Sequence, residues 1–365
     1  MSQKNYNEAV LAFGNYHDSL PIPEQDFSEF TVTPLSGGLI NNTYKVESPL
    51  SPPFLLQQIN QKVFTNPRDV QANYIQLWQY AEFEFTGLRL PEPMYYNKTS
   101  SLFIDKQGNY WRALEFIDNS TSLPIATKPA QAKAVARTFA AFTAVFDEMN
   151  VEMLKIVIPD FHNLSLRYQQ FEESLNTELY ERMAKALPLI KELKNSERYK
   201  HFYELIIESV EFPKRVMHHD AKIANVLFSN KTGKVICAVD FDTVMPGLFF
   251  SDLGDMIRTM ICSEDENSTH FDKIKIRKSF YEGILSGYLM EMGSHLTDSE
   301  KKYIHYAGLL MIYMQALRFL TDYLNGDIYY KISYPEHNFD RAKNQLTLLQ
   351  RLEEFLVLYY DLKKN

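Results

Sequence analysis

The chain reads His218-His219-Asp220-Ala221-Lys222-Ile223-Ala224-Asn225 and, further on, Val239-Asp240-Phe241. This is the pattern H-x-D-x-x-x-x-N, with a second acid 20 residues after the first. In phosphoryl transfer of the kinase type, one such aspartate accepts a proton from a hydroxyl, and an asparagine and a second aspartate bind magnesium. Two protein ligands suffice because Mg²⁺ keeps several waters and also binds phosphate oxygens. The pattern therefore predicts Asp220 as the catalytic base and Asn225 and Asp240 as metal ligands.

A hairpin is predicted between the two halves of this pattern. Residues 226–228 and 235–241 are apolar and rich in β-forming types, and Gly233 between them can take a positive φ. Asn225 and Asp240 are 15 residues apart in sequence. We expect the hairpin to bring them together, because it folds the chain between them back on itself. An isolated aspartate is more often a surface charge or a helix cap, so the interpretation depends on the whole constellation.

Four segments resemble the aminoglycoside phosphotransferase/choline kinase superfamily, and most closely its N-acetylhexosamine 1-kinases: 216–228, 238–247, 251–258 and 318–327. The resemblance covers about residues 36–349. It implies an α+β, protein-kinase-like bilobal fold. A small antiparallel-sheet lobe that binds the nucleotide would span 1–118 and a mainly helical lobe would span 119–365, with ATP and Mg²⁺ in the cleft.

By the same resemblance, the reaction is transfer of the γ-phosphate of ATP to the anomeric hydroxyl of N-acetylglucosamine or N-acetylgalactosamine. Lys222, two residues after the base, would meet the γ-phosphate or else lie at the surface. The alternatives are a kinase for choline, homoserine, a thioribose or an aminoglycoside, and a non-catalytic nucleotide-binding scaffold. A protein kinase is disfavoured because the chain has no D-F-G or A-P-E segment.

Nucleotide binding is predicted at two segments, a glycine turn and a hinge. Residues 36–46 read as a strand, a Gly-Gly turn and a second strand, and resemble the phosphate-covering loop of these kinases. The cofactor-binding prediction there names Ser36, Gly37, Gly38, Asn41 and Thr43. Residues 115–118 resemble the inter-lobe hinge, in which the backbone of Glu115 and Ile117 would pair with adenine.

The next strand departs from the broader kinase pattern. Where most relatives have a lysine that holds the phosphates, the strand at 54–60 offers Gln57 and Gln58. The N-acetylhexosamine kinase branch is similar in having glutamine there. The nearest lysines are Lys45 and Lys62, and the sequence does not predict which group neutralises the phosphates.

Substrate-binding residues are predicted on the catalytic loop and on a helix at 306–324, which Gly326 would end. They are His219, Arg318, Asp322 and Tyr323. The competing interpretation of the last three is an Arg–Asp pair with aromatic packing. A second helix is predicted from Asp252 to 260, with Asp252 as its N-cap and an ion pair between Asp255 and Arg258.

Helices are also predicted at 1–20, at 67–80 and after Pro129, and two more between 165 and 210, separated or interrupted by Pro188. A strand is predicted at 27–35, and a hairpin at 102–117. The apolar stripe of the helix after Pro129 is expected to be core: Ala132, Val135, Ala136, Phe139, Ala140, Phe142 and Thr143.

Composition limits the partners. With a net charge of −8, a pI near 5.7 and no basic stripe, the chain is not expected to bind nucleic acid. It has no apolar run long enough to span a membrane and no signal-peptide core, so a cytoplasmic location is expected. The two cysteines, Cys237 and Cys262, form no C-x-x-C pair, which disfavours a zinc site. ATP and a small acceptor, a sugar, are the expected partners.

Overall fold

The structure is a computed structural model that describes residues 6–16, 25–35, 40–84, 86–176 and 178–362. Ser36, Gly37 and Gly38 of the predicted phosphate-covering loop lie outside the described residues. The chain forms two compact units. The first unit contains residues 1–121, 152–159 and 228–245, and the second contains 122–151, 160–227 and 246–365. The division at 118 into two lobes stays a prediction.

The first unit is built on an antiparallel sheet. Its elements are α1 (Asn7–Gly14), β1 (Thr31–Pro34), β2 (Asn42–Glu47), β3 (Phe54–Gln58), α2 (Pro67–Phe83), β4 (Pro93–Met94), β5 (Leu102–Ile104) and β6 (Tyr110–Glu115). The sheet order is β1-β2-β3-β6-β4, and β5 also pairs with β6. Gln57 on β3 is the register partner of Arg112 on β6. The apolar side chains of Phe13, Phe54 and Trp111 lie in one buried cluster, which stabilises α1 on the sheet.

Short strands follow: β7 (Ser120–Ser122), β8 (Arg215–Met217), β9 (Val226–Ser229), β10 (Val235–Ala238) and β11 (Met245–Gly247). The predicted turn is present, because the Ser229 N–H donates to the Lys234 carbonyl at 2.8 Å and Gly233 has a φ of 66°. The return strand is shorter than predicted. It ends at Ala238, and Phe241–Thr243 form a 3-10 turn.

The second unit is mainly helical. Its helices are α3 (Pro129–Val145), α4 (Leu164–Ser174), α5 (Tyr180–Asn195), α6 (Arg198–Ile207), α7 (Phe250–Met260), α8 (Lys278–Met292), α9 (Asp298–Lys302), α10 (Tyr306–Leu324) and α11 (His337–Tyr360). Helix α3 lies closely along α8, since a Cβ on Gly287 would come within 2.2 Å of the Lys133 carbonyl oxygen. All seven positions of the predicted α3 stripe are buried.

The α+β fold class is confirmed, and the differences from the sequence predictions are local. Phe27–Glu29 form a 3-10 turn, so the predicted strand at 27–35 begins only at Thr31. Three helices occupy 164–207 rather than two, because the helical structure breaks after Ser174 and after Asn195. Pro188 does not separate helices but lies inside α5. Helix α10 has the predicted bounds, and Gly326 after it has a φ of 89°. Within the described residues, no helix combines the length and apolarity needed to cross a bilayer.

Candidate active site

One buried carboxylate fixes the loop that carries Asp220. Asp252, 1% exposed, accepts the backbone N–H of His218 at 2.8 Å and that of His219 at 2.7 Å, one on each oxygen. The prediction that Asp252 is an N-cap was wrong, because α7 begins two residues earlier and the carboxylate binds backbone from another segment. Asp252 therefore determines where the catalytic loop leaves β8. The predicted Asp255–Arg258 ion pair is confirmed at 2.9 Å.

The two carboxylate oxygens of Asp220 differ in their hydrogen bonds. Its Oδ2 atom accepts Lys222 Nζ at 2.8 Å and Asn225 Nδ2 at 2.9 Å. Its Oδ1 atom accepts no hydrogen bond from the residues that the structure describes. The Asn225 amide also donates to the Asp220 carbonyl at 2.9 Å, which ties the end of the loop to its start. Within the second unit, three predicted site residues, Asp220, Lys222 and Asn225, therefore form one cluster.

The pKa of Asp220 lies below its usual range. Burial alone would raise this pKa, but the charge and hydrogen bond of Lys222, the nearby His218 and the amide of Asn225 together outweigh it. Asp220 is thus ionised at neutral pH, with Oδ1 able to receive a proton. Such a carboxylate is a weak base, and it suits a reaction in which positioning matters more than base strength.

The two histidines before Asp220 have structural contacts. The His218 ring packs edge-on against Phe139, with centroids 4.9 Å apart. His219 has a φ of 65°, a left-handed conformation that non-glycine residues rarely adopt. Its ring lies so close to Gly247 that a Cβ there would be 2.5 Å from His219 Cε1. His219 Nδ1 also lies 3.2 Å from His162 Nδ1. His219 is therefore locked in place beside Asp220.

His162 has no counterpart among the sequence predictions. Its ring stacks on Phe161 at 4.6 Å, and burial, followed by the charges of His219 and Arg318, lowers its pKa well below the usual value. His162 is therefore neutral at physiological pH. One of the two facing Nδ1 atoms must carry the hydrogen and donate it to the other.

Arg318 on α10 lies among aromatic rings. Its guanidinium carbon is 5.7 Å from the Phe161 ring centroid, 5.8 Å from that of Tyr329 and 5.6 Å from that of Tyr330. Its one side-chain hydrogen bond within the described chain goes to Gln315, at 3.3 Å. No carboxylate lies within ion-pair distance of Arg318 in the described ranges. The guanidinium therefore retains donors for a ligand.

Asp322 and Tyr323 have other contacts. The Asp322 carboxylate accepts the backbone N–H groups of Tyr329 and Tyr330, at 2.8 and 2.9 Å, and the Asn338 amide at 2.9 Å. We therefore interpret Asp322 as the residue that holds the two tyrosines beside Arg318. The ring of Tyr323 lies 4.6 Å from the Arg182 guanidinium and is buried.

In the first unit, the residues after the glycine turn belong to a buried network. Asn41 Nδ2 donates to Asp242 Oδ2 at 2.5 Å, and Gln57 Nε2 donates to Thr43 Oγ1 at 3.2 Å. Arg112 forms an ion pair with Asp242 and donates to Gln57 Oε1. The glutamine in the strand position of the usual lysine is therefore paired with an arginine of the neighbouring strand.

The hinge segment follows the sheet edge. The Glu115 N–H donates to the Glu92 carbonyl at 2.8 Å, and its carboxylate pairs with Arg89. The Ile117 carbonyl accepts Ser120 Oγ at 2.5 Å. Pairing of the Glu115 and Ile117 backbone with adenine stays a prediction.

The metal-binding prediction involves an unusual backbone conformation. Asp240 has φ 67° and ψ 56°, in the left-handed region, immediately before the 3-10 turn at Phe241–Thr243. Among the described residues, no cluster of three or more His, Cys, Asp or Glu side chains is arranged to hold a metal ion. A kinase-type site does not need such a cluster, because phosphate oxygens and water complete the shell.

Two groups were missed by sequence reasoning, Arg112 and the Phe161–His162 pair. Arg112 carried a usable signal, because it is the one charge among the four buried inner residues, Trp111-Arg112-Ala113-Leu114, of the strand Tyr110–Glu115. Charged residues are almost never fully buried unless they are paired. Phe161 and His162 lie outside regular structure and match no motif, so no sequence pattern indicated their role.

The chain is similar to known phosphotransferases in sequence and in structure. A family model described as "Phosphotransferase enzyme family" matches residues 31–292, more than two thirds of the chain. An aminoglycoside phosphotransferase from Alicyclobacillus acidocaldarius is similar in structure, with a TM-score of 0.61, 11% identity and coverage of 96% of this chain and 98% of that one. A choline kinase from Cryptosporidium parvum Iowa II has a TM-score of 0.54, 15% identity and 97% coverage of both chains.

A third similar structure is the amicoumacin kinase hAmiN in complex with AMP-PNP and Ca²⁺, with a TM-score of 0.59, 14% identity and coverage of 94% of this chain and 92% of that one. At these identities the similarity establishes the fold, which is that of kinase-like phosphotransferases.

Replacing Asp252 by asparagine tests the role of its carboxylate. We expect Asp252→Asn to lower the free energy of unfolding by about 1–3 kcal/mol, because one buried N–H loses its acceptor and faces an amide NH₂ instead. Urea unfolding followed by circular dichroism measures this loss. Asp272→Asn, at an exposed aspartate of the same unit, is the matched control and should leave stability nearly unchanged.

The pH dependence of that loss has a defined sign. Burial raises the pKa of Asp252 to about 7, although the His218 and His219 N–H groups lower it. A carboxyl group whose pKa is raised by folding stabilises the folded protein fully when the pH is below its unfolded pKa, near 4. This stabilisation is lost as the pH rises through the folded pKa of about 7. The cost of Asp252→Asn should therefore shrink between pH 5 and pH 8. A cost that stays constant over this range would show that the native carboxyl is anionic throughout, because folded and unfolded states would then bind the same number of protons.

Proposed function

Because the chain belongs to the phosphotransferase enzyme family, we propose that it is an ATP- and Mg²⁺-dependent kinase of a small, uncharged acceptor, most specifically of the anomeric hydroxyl of an N-acetylhexosamine. The observation that carries the proposal is the state of Asp220. One of its oxygens is held by Lys222 and Asn225, and the other has no partner among the described residues.

In the proposed reaction, Oδ1 of Asp220 accepts the proton of the acceptor hydroxyl as that oxygen attacks the γ-phosphorus of ATP. The bond from the γ-phosphorus to its bridging oxygen breaks, and ADP leaves. Lys222, whose Nζ atom is 2.8 Å from Asp220, holds the base and places a positive charge beside the transferring phosphoryl group. Asp252 contributes indirectly by fixing the backbone of this loop.

The metal ligands proposed are Asn225 and Asp240. The Asn225 NH₂ group is committed to Asp220, so its carbonyl oxygen is the atom that remains for a cation. The donor set, one amide oxygen and one carboxylate, has the hard oxygen chemistry that Mg²⁺ prefers. When bound, the ion would neutralise charge on the nucleotide phosphates. The hAmiN structure, which contains AMP-PNP and Ca²⁺, supports the use of a nucleotide with a divalent cation in this fold.

Charge supports an uncharged acceptor over choline or an aminoglycoside. Two arginines, Arg318 and Arg167, are among the groups that lower the pKa of His162, whereas Arg258 is paired with Asp255 and Glu266. Because Arg318 donates only to Gln315 within the described residues, its positive charge is not neutralised by a carboxylate there. A quaternary ammonium group is usually recognised by a cage of aromatic rings. Here Phe161, Tyr329 and Tyr330 already surround the guanidinium of Arg318, and a cationic acceptor would be repelled.

A sugar also suits the polar and aromatic groups around Arg318. Sugar recognition uses planar hydrogen-bonding groups together with an aromatic platform, and Arg318 and Tyr329 supply one of each. Tyr329 is largely exposed, so a ring face is accessible. The N-acetylhexosamine assignment rests in addition on the sequence resemblance of residues 318–327. His219 and Tyr323, which were predicted to contact the substrate, are buried. We propose that they support the residues of the site by packing.

An acceptor panel tests the function. ADP release with Mg-ATP is measured against N-acetylglucosamine, N-acetylgalactosamine, glucose, galactose, choline, homoserine and kanamycin, with phosphorus NMR of each product. We expect turnover with an N-acetylhexosamine and a phosphorus signal coupled to the anomeric proton. Preferred turnover of choline or kanamycin would contradict the charge argument. Turnover of homoserine alone would keep the mechanism and reject the sugar. ATP binding without turnover of any acceptor would favour the non-catalytic alternative.

Removing the guanidinium tests the acceptor site separately. We expect Arg318→Ala to raise the KM for the sugar by about 10- to 100-fold, because hydrogen bonds from a charged donor contribute about 1.5–3 kcal/mol. The KM for ATP should change less than about twofold, since Arg318 would act on the acceptor alone. Arg341→Ala is the matched control, because Arg341 lies on α11 and donates to Asn267, which lies outside the helices. An unchanged KM for the sugar would remove Arg318 from the site.

A further inference from the structure

The first unit contains a buried ion pair that the proposed chemistry does not yet use. The Arg112 side chain is 2% exposed and that of Asp242 is 3% exposed. Arg112 comes from β6 in the centre of the sheet, whereas Asp242 lies in the 3-10 turn just after Asp240. Buried ion pairs are often no more stabilising than well-packed apolar residues, so stability alone is a weak reason for this pair.

The guanidinium is held in one orientation. Arg112 Nε and one terminal nitrogen both donate to Gln57 Oε1, at 3.0 and 2.8 Å, and Gln57 and Arg112 face each other in the strand register. The Gln57 amide in turn donates to Thr43 on β2. Glutamine at position 57 therefore presents an acceptor to the neighbouring arginine, which a lysine in the same place would repel.

The carboxylate is held on its other side as well. Asp242 Oδ2 accepts Asn41 Nδ2 at 2.5 Å, and Asn41 Oδ1 accepts the Asn60 N–H at 2.9 Å. The turn is also packed through its first residue, because the Phe241 ring stacks on Tyr74 at 5.5 Å. The residues after Asp240 are therefore fixed from three directions within this unit.

Asp240 itself is in a conformation that needs such support. A left-handed aspartate persists only where the surrounding structure enforces it, and strain of this kind is common at functional sites. We propose that Arg112 and Asp242 are positioning residues that hold Asp240 in the orientation required to bind the divalent cation. This inference rests on the proposed function. The inference also explains how β3 can lack the usual lysine. Arg112 on the neighbouring β6 is the cationic residue of this pair of strands, and Arg112 acts through Asp242.

The test compares nucleotide affinity with and without metal. Fluorescence of N-methylanthraniloyl-ADP is titrated with the wild-type protein, Arg112→Lys and Asp242→Asn, in excess MgCl₂ or in EDTA. Residues that orient metal ligands typically change metal affinity about 10- to 100-fold when replaced. We expect both variants to lose about tenfold or more of the affinity for Mg-ADP and to bind metal-free ADP within about twofold of the wild type.

Arg277→Lys is the matched control. Arg277 lies in the other unit and donates to the carbonyls of Ala126, Met260 and Cys262, so the same substitution should reduce stability without changing the effect of metal. Circular dichroism verifies folding, and Asp242→Asn serves if Arg112→Lys fails to fold. Unchanged metal dependence in a folded variant would overturn the positioning role. Absence of any metal effect in the wild-type protein would instead contradict the proposed function.

Discussion

The acceptance of two consecutive backbone N–H groups by the Asp252 carboxylate is the constraint on which the candidate site depends. His218 and His219 leave β8 at the point where the chain must turn, and His219 does so in a left-handed conformation. Without an acceptor, two buried N–H groups would be unsatisfied, at a cost comparable to a substantial part of domain stability. The carboxylate removes this cost only in the observed arrangement, and Asp220 is placed as a consequence. Gly247 completes the constraint, since the His219 ring occupies the space of a side chain there.

The two units each contain an arginine that is important to the candidate site, and the two arginines differ in their partners. In the second unit, Arg318 carries a positive charge and has no carboxylate counter-ion among the described residues, which is the basis for proposing an uncharged acceptor. In the first unit, the cation Arg112 is fully neutralised by Asp242 and buried. One arginine is thus suited to contact a ligand, and the other is suited to hold protein groups in position. Burial and partners, rather than residue type, separate these two roles.

Much of the fold followed from the sequence because it depends on local pattern. The bounds of α10, the buried stripe of α3 and the positive φ of Gly233 are set by periodicity and turn chemistry. The errors arose where tertiary contacts decide. Pro188 is tolerated inside α5, and Asp252 accepts backbone from a segment more than 30 residues away instead of capping its own helix. Spacing alone predicted the chemistry that we propose for Asp220, but it could not identify Arg112 or His162, whose partners are distant in sequence.

We propose that Asp220 is the proton acceptor of a kinase reaction, paired with Lys222 and carried by the loop whose backbone Asp252 holds. The most direct measurement is the kcat of Asp220→Asn with Mg-ATP and the preferred acceptor, together with its nucleotide affinity and its unfolding transition. If Asp220 is the base, kcat falls by about 10²–10⁴-fold, with nucleotide binding and folding retained. A folded Asp220→Asn protein with near-normal turnover would contradict this role.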